Sequence, residues 1–184
     1  MYGREHIVLQ RDVNAIRIPD GDAITLPQGH VIGLFQSLGG NYTVTTESGH
    51  MVRISGADAD AIGKEPPALP PLSEQSDAEA IENNVWEVLK TVFDPEIPVN
   101  IVDLGLVYHC RILPPETGDP GHMVHIIMTL TAPGCGMGPI LQGDVEQVIR
   151  KLPGVGRVQV DVVFDPPWSR DHMSDLARLQ LNMV

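Results

Sequence analysis

The stretch Leu130–Pro139, Leu-Thr-Ala-Pro-Gly-Cys-Gly-Met-Gly-Pro, joins a β-strand pattern to a helical pattern. Alternating apolar residues precede it, and apolar residues at helical spacing follow it as far as Leu152. Three glycines and two prolines surround Cys135, and they restrict the backbone because Gly permits positive φ whereas Pro fixes φ. A strand, a tight loop and a helix in this order place Cys135 beyond the carboxyl end of a strand, where open α/β sheets bind ligands.

The elements on either side of this stretch predict an α+β domain over residues 77–184. A helix is predicted over residues 77–93, opened by a capping box of Ser76 and Glu79. The remaining predicted elements are strands over residues 106–113, 123–131 and 158–164 and helices over residues 139–152 and 170–181. The inner face of the last strand would carry Phe164, and one side of the last helix would carry Met173, Leu176, Ala177 and Gln180. The order α-β-β-α-β-α therefore predicts a small mixed β-sheet with covering helices, its second and third strands parallel.

The region before this domain predicts a small β-rich N-terminal module over residues 1–63. Six short β-prone runs alternate with turns that contain Pro and Gly, and residues 57–62 predict one helical turn. Residues 64–76 carry Pro66, Pro67, Pro70 and Pro71 and predict an extended linker. The chain is thus expected to hold two domains joined by a Pro-rich segment.

The composition excludes some classes of partner. The chain has 184 residues and a formal net charge of −12 at pH 7, which argues against nucleic-acid binding because phosphate contacts need clustered Lys and Arg. No stretch reaches the roughly 18 consecutive apolar residues of a membrane span. Residues 1–6 lack the apolar run of a secretion signal. A cytoplasmic protein without a membrane partner is the expectation.

The two cysteines, Cys110 and Cys135, have different expected roles. Strand alternation places Cys110 on an inner face, which predicts a core thiol. Cys135 precedes a helix N-terminus, whose dipole and unpaired N–H groups favour a thiolate over a thiol. A thiolate is both a nucleophile and a soft metal ligand, so Cys135 is the candidate reactive group.

Three carboxylates, Asp94, Glu96 and Asp103, lie between the first helix and the first strand of the predicted domain. If this acidic loop, residues 94–105, folds over the end of the sheet, its carboxylates meet Cys135. The alternative interpretation is that Asp94 and Glu96 cap backbone amides in a proline turn. Asp103, before a Leu-Gly pair, has a similar alternative.

The count of metal ligands limits what one chain can hold. An iron-sulfur cluster usually takes four Cys thiolates, and a structural zinc takes four Cys or His ligands. One well-placed thiol cannot supply such a set. Any cluster must therefore be shared across a homodimer, completed by carboxylates or small thiols, or held transiently. His172 is the one plausible imidazole partner for Cys135.

Several separated motifs carry a resemblance to a known family. They are residues 94–99 (DPEIPV), 101–108 (IVDLGLVY), 129–135 (TLTAPGC), 153–155 (PGV) and 165–168 (DPPW). Over residues 77–184 these motifs resemble the metal-sulfur cluster biosynthesis domain of cytosolic iron-sulfur targeting factors and of PaaD in phenylacetate degradation. The added β-rich module, the glycine-rich cysteine loop and the ending after the DPPW motif resemble the SufT type of iron-sulfur cluster assembly protein.

The resemblance implies a role in maturing iron-sulfur proteins, without an established enzymatic reaction. It implies that Cys135 is the reactive position, which binds iron or a labile cluster, and that Asp94, Glu96 and Asp103 stand at the acidic-loop positions. The implied partners are the iron-sulfur assembly machinery and client apo-proteins. Two other hypotheses remain open from the residues. One is a thiol-dependent enzyme with Cys135 as nucleophile and His172 or a carboxylate as base, and the other is a non-catalytic adaptor that docks clients.

Overall fold

The computed structural model of the protein describes residues 5–183. Residues 1–4 and Val184 lie outside the described residues. Most of the segment used to predict the absence of a secretion signal, residues 1–6, and the first four residues of the predicted β-rich module therefore lie outside them too. The chain divides into two compact units, Met1–Ala68 and Leu69–Val184. No helix in residues 5–183 is long and apolar enough to cross a membrane.

The first unit is a six-stranded antiparallel sheet. Its strands are β1 (Glu5–Val8), β2 (Val13–Arg17), β3 (Ala23–Leu26), β4 (Val31–Leu38), β5 (Asn41–Thr46) and β6 (Met51–Ile54). They pair in the order β1-β4-β5-β6-β2-β3. A 3₁₀ segment, Gly56–Ile62, follows β6, where the sequence predicted one helical turn.

The first unit buries one face of this sheet together with the 3₁₀ segment. Val44, Val52 and Ile54 are fully buried, and Ala59 and Ala61 of the 3₁₀ segment join the same core. Arg11 donates to Asp58 at 2.9 Å and to Asp60 at 2.6 Å, and this bond lowers the pKa of the Asp60 carboxyl. Alternating apolar residues and glycine turns thus form the β-rich architecture that the sequence predicts.

The second unit contains the remaining helices and strands. They are α1 (Ala78–Leu89), β7 (Val107–Leu113), β8 (His122–Met128), α2 (Gly138–Arg150), β9 (Val155–Val162), a 3₁₀ segment (Arg170–His172) and α3 (Asp175–Gln180). The sheet order is β7-β8-β9, with β7 antiparallel and β9 parallel to β8. The α+β fold class, the α-β-β-α-β-α order and the mixed sheet are confirmed.

The core of the second unit is aliphatic. Side chains of α1, α2 and β8 form one buried cluster that includes Ile81, Val85, Val88, Val124, Ile126, Met128, Leu141, Val145 and Ile149. Each helix contributes one apolar stripe at i, i+3 and i+4 spacing, and β8 contributes every second residue. The two helices therefore pack on the sheet through their apolar faces.

The start and end of α1 differ from the prediction. The N-cap is Asp77, whose side chain accepts from the Ala80 amide at 3.0 Å, so the predicted capping box of Ser76 and Glu79 is wrong. The helix ends at Leu89 because Phe93 leaves it to pair with Asn100. Before α1, the amide of Ser73 donates to Asn84 Oδ1 at 2.9 Å, so this end of the Pro-rich segment packs on the helix.

The ends of the last two predicted elements also differ. Strand β9 ends at Val162, and Phe164 is 45% exposed, so its predicted place on the inner face is wrong. The predicted final helix is interrupted because Ser174 is the N-cap of α3 and accepts from the Ala177 amide at 3.1 Å. Met173 and Ala177 are buried as predicted, but Leu176 is 54% exposed, so its predicted place on the buried side is wrong.

Candidate functional site

The ends of all three strands of the second unit meet at one edge of the sheet. The amide of Thr129, after β8, donates to the carbonyl of Leu106, before β7, at 2.8 Å. The amide of Val163, after β9, donates to the carbonyl of Met128 at 2.8 Å. This carboxyl edge therefore collects the segments that follow β8 and β9 and the segment that precedes β7.

Cys135 lies in the loop that leaves this edge and enters α2. Its side chain is half-buried and packs against the core, and its carbonyl accepts from the Gly138 amide at 3.0 Å. The N-cap of α2 is Met137, which provides no side-chain hydrogen bond. The first turn of α2, which begins just after the cysteine, therefore has no side-chain cap.

Cys110 lies on the inner face of β7 and packs against the same core. Burial, with a smaller contribution from the charge of Glu82, raises the pKa of its thiol to about 12. Such a thiol is almost entirely protonated at neutral pH and is a poor nucleophile. The prediction of a core thiol is confirmed, and both cysteines are free of disulfides.

Asp94 builds the turn at the start of the acidic loop. Its Oδ1 accepts from the amides of Glu96 at 2.9 Å and Ile97 at 3.0 Å. Its side chain is buried, and desolvation raises the pKa of the carboxyl despite these two bonds. These are the amide-capping contacts that the alternative interpretation of Asp94 expected.

Glu96 differs from its two acidic neighbours because it is exposed. Its backbone amide donates to Asp94, and its carboxylate forms no hydrogen bond or ion pair with any residue between 5 and 183. The alternative interpretation, in which the Glu96 side chain caps a backbone amide, is therefore wrong for the described residues. Of the three carboxylates, this one is unconstrained by the loop itself.

Asp103 uses both carboxylate oxygens. Its Oδ2 accepts from the Asn100 amide group at 2.6 Å and its Oδ1 accepts from the Ser174 hydroxyl at 2.9 Å. The main-chain carbonyl of Asp103 also accepts from the Ser174 amide at 2.8 Å. Sequence reasoning missed Asn100 and Ser174; the signal for Ser174 was a serine directly before a short helical apolar pattern, typical of an N-cap.

The segment after β9, residues 165–183, is called the C-terminal strap here because it is fastened back onto the acidic loop and β7. The Trp168 indole donates to the Leu104 carbonyl at 2.7 Å, and the Tyr108 hydroxyl donates to the Pro166 carbonyl at 2.8 Å. A Cβ on Gly105, which has φ of 74°, would lie 2.1 Å from the His172 carbonyl oxygen. The motifs at residues 101–108 and 165–168 thus meet each other in space.

His172, the candidate imidazole partner of Cys135, makes its contacts within the strap and with β7. Its Nδ1 accepts from the Ser169 amide at 3.1 Å, and its ring centroid lies 5.6 Å from that of Tyr108. With Nδ1 accepting, the ring helps to shape the strap as part of a small capping arrangement.

The donor set of the chain does not form a closed metal site. Within residues 5–183, no group of three or more His, Cys, Asp or Glu side chains is arranged to hold a metal ion. The carboxyl edge offers one thiol, that of Cys135, rather than the four ligands of a structural zinc or a typical cluster. Iron or a cluster bound here would need ligands from outside the chain.

A family model described as "Iron-sulfur cluster assembly protein" matches residues 82–162. The Fe-S protein maturation auxiliary factor YitW of Bacillus subtilis (strain 168) is 40% identical over 105 residues, which are 57% of this chain and 97% of that protein. The chain belongs to this iron-sulfur cluster assembly family. The matched residues include Asp94, Glu96, Asp103 and Cys135, and all lie in the second unit.

Other relatives match over similar lengths. The Fe-S protein maturation auxiliary factor SufT of Staphylococcus aureus (strain USA300) is 37% identical over 92 residues, which are 50% of this chain and 98% of that protein. A crystal structure of a domain of unknown function from Bacillus anthracis has 38% identity, covers 58% of this chain and 95% of that chain, and has a TM-score of 0.49.

Proposed function

We propose that this protein is an accessory factor in iron-sulfur cluster assembly or transfer, which matures client proteins by binding iron or a labile cluster at Cys135. The observation that carries the proposal is the position of Cys135. It is a half-buried thiol in front of the uncapped N-terminus of α2, in a chain of the iron-sulfur cluster assembly family. The names of its relatives, maturation auxiliary factors, agree with an accessory role.

The single thiol argues for a transient cargo. One thiolate holds iron or a cluster weakly unless other ligands join it, and a weakly held cluster can pass to a client. The missing ligands would come from a second copy of the chain, from a small thiol, or from the client or an assembly partner. A homodimer with two Cys135 side chains is one arrangement of this kind.

The acidic loop has the second part in this proposal, either completing or gating the site. Glu96 is the carboxylate suited to contact iron, because it is exposed and makes no bond within the loop. Asp94 Oδ1 accepts from two amides of the loop, and the two carboxylate oxygens of Asp103 accept from Asn100 and from Ser174 of the strap. Asp94 and Asp103 would therefore affect the site by holding the acidic loop and the strap in position.

The proposal also assigns the domains, the partners and the compartment. Residues 77–184 form the assembly domain, residues 64–76 the linker, and residues 1–63 an additional β-rich module. The partners are the iron-sulfur assembly machinery and client apo-proteins, and the role is non-catalytic. A thiol ligand for iron has to stay reduced, which fits the cytoplasm.

The test is anaerobic reconstitution of the full chain with ferrous iron and sulfide, followed by desalting and metal analysis. Cys135→Ala is expected to lose the bound iron, and Cys110→Ala, the matched control, to retain it. Glu96→Gln is expected to retain less iron than Glu79→Gln, which removes an exposed carboxylate from α1. Equal iron in the wild type and in Cys135→Ala would refute the role of Cys135 as a ligand.

A further inference from the structure

Asp103 occupies an unusual place among the acidic residues, because it connects the acidic loop to the strap. Asn100 Oδ1 accepts from the amides of Val102 at 3.0 Å and Asp103 at 2.9 Å, which closes the loop upon itself. The Asn100 side chain then donates to Asp103 Oδ2, and Ser174 donates to Asp103 Oδ1. Both oxygens of Asp103 thus already accept hydrogen bonds from within the protein.

The apolar contacts of the strap with the core come from Trp168, Met173, Ala177 and Leu181. Met173 and Ala177 are buried in the core, but Leu176 and Leu179 of α3 are 54% and 62% exposed. Helix α3 spans six residues, too few to be stable without its cap and its tertiary contacts. Short terminal segments of this kind open at lower free energy than the core does, so the hydrogen bonds to the loop add to these apolar contacts in holding the strap.

The bond between Ser174 and Asp103 is the strongest of these attachments by its chemistry. A hydrogen bond to a carboxylate contributes more than one between neutral groups, whereas the bonds of Trp168 and Tyr108 end on neutral carbonyl oxygens. The loop that receives this bond continues into Leu106, whose carbonyl accepts from Thr129 just before the cysteine loop. Strap, acidic loop and cysteine loop are therefore linked in series at the carboxyl edge.

We propose that Asp103 is a positioning residue: through Ser174 it latches the C-terminal strap onto the acidic loop and so holds the carboxyl edge on which Cys135 lies. This inference rests on the proposed function, because it describes how the acidic loop would gate the cysteine. With the latch closed, the loop and strap are ordered and Cys135 stays half-buried. With the latch open, the strap frays and Cys135 becomes more accessible to thiol reagents and to partners.

The experiment separates the latch from the N-cap, since Ser174 serves both. Ser174→Asp keeps an N-cap acceptor for α3, but it cannot donate to Asp103 and places a second carboxylate against it. Ser174→Thr keeps the hydroxyl and both functions, so it is the conservative control. Hydrogen exchange is measured on the metal-free full chain by mass spectrometry, together with the rate at which iodoacetamide modifies Cys135 and Cys110 under native conditions.

In Ser174→Asp, amide exchange in residues 165–183 is expected to rise about tenfold, because a bond to a charged group is lost. Exchange in α1 should stay unchanged. Modification of Cys135 should become at least about threefold faster as the edge opens, with Cys110 as the internal reference in the core. Ser174→Thr should match the wild type in every measurement.

Four outcomes would overturn the inference. They are unchanged exchange in the strap of Ser174→Asp, faster exchange in α1 as well as the strap, equal effects of Thr and Asp, and an open strap with an unchanged rate at Cys135. Any of the first three would show that Ser174 does not latch the strap through Asp103, and the fourth would show that the latch does not affect the accessibility of Cys135. The exchange and alkylation measurements use no iron. A negative result in them would therefore not refute iron binding at Cys135, and a negative reconstitution result would not refute the latch.

Discussion

Trp168 donates its indole N–H to the main-chain carbonyl of Leu104 at 2.7 Å. This bond joins the motif after β9 to the motif before β7, and together with the bond between Ser174 and Asp103 it fastens the strap at the carboxyl edge. The two motifs therefore meet at the carboxyl edge, from which the loop that contains Cys135 leaves.

The bond from Trp168 should contribute measurably to the second unit. We expect Trp168→Phe to lower its free energy of unfolding by about 1–3 kcal/mol beyond the loss of ring volume, because the Leu104 carbonyl loses its partner. Both tryptophans lie in this unit, so urea unfolding followed by the remaining tryptophan reports on it. Trp86→Phe, at a ring that packs on the same core, is the control, and an equal loss in both variants would contradict the prediction.

The contact of Gly105 with the strap should tolerate no side chain. In Gly105→Ala the new Cβ would lie 2.1 Å from the His172 carbonyl oxygen, so the strap must move in addition to the cost of a positive φ. Gly134→Ala is matched in φ, 75° against 74°, but has open space around its Cβ. We expect about 1–2 kcal/mol of destabilisation for Gly134→Ala and clearly more for Gly105→Ala, by urea unfolding; equal losses would show that the contact does not matter.

Asp94 should make the stability of the second unit depend on pH. Burial raises the pKa of this carboxyl in the folded state, so its contribution is fully present below the unfolded pKa and is lost as pH rises through the folded pKa. Asp94→Asn keeps an acceptor for the two amides and cannot ionise. It should therefore match the wild type at about pH 3, below the unfolded pKa of an Asp side chain, and be more stable than the wild type at neutral pH.

Urea midpoints at both pH values test this prediction. Asp77→Asn is the control, because Asp77 is an exposed carboxylate that also accepts an amide bond, from Ala80. The prediction would be wrong if the stability of Asp94→Asn relative to the wild type were lower at neutral pH than in acid.

The two thiols should react at very different rates. Burial raises the pKa of Cys110 to about 12, so at pH 8 almost none of it is thiolate. We expect brief treatment of the native protein with iodoacetamide to modify Cys135 and to spare Cys110. In urea the two rates should become similar, and peptide mass spectrometry distinguishes them; preferential modification of Cys110 in the native protein would refute this assignment.

Much of the architecture could be predicted because it depends on local patterns. Alternating apolar residues identified β7 and β8 and placed Cys110 inward, and the 3.6-residue period identified α1 and α2. Errors arose at element ends, where one hydrogen bond decides between neighbouring residues. Asp77 rather than Ser76 caps α1, and Ser174 interrupts the last helix.

The sequence by itself determined the fold class, the order of elements in the second unit, the position of Cys135 before α2 and the family. These features follow from residue periodicity, from Gly and Pro chemistry and from motifs read along the chain. Only the tertiary structure decided which carboxylates are committed to the fold, because Ser174 and Asp103 are far apart in sequence and their bond depends on how the strap returns over the sheet edge. In the folded chain Glu96 is exposed, whereas Asp103 accepts hydrogen bonds from Asn100 and from Ser174 of the strap. The partners of a carboxylate depend on which segments pack around it, and local sequence patterns do not specify this.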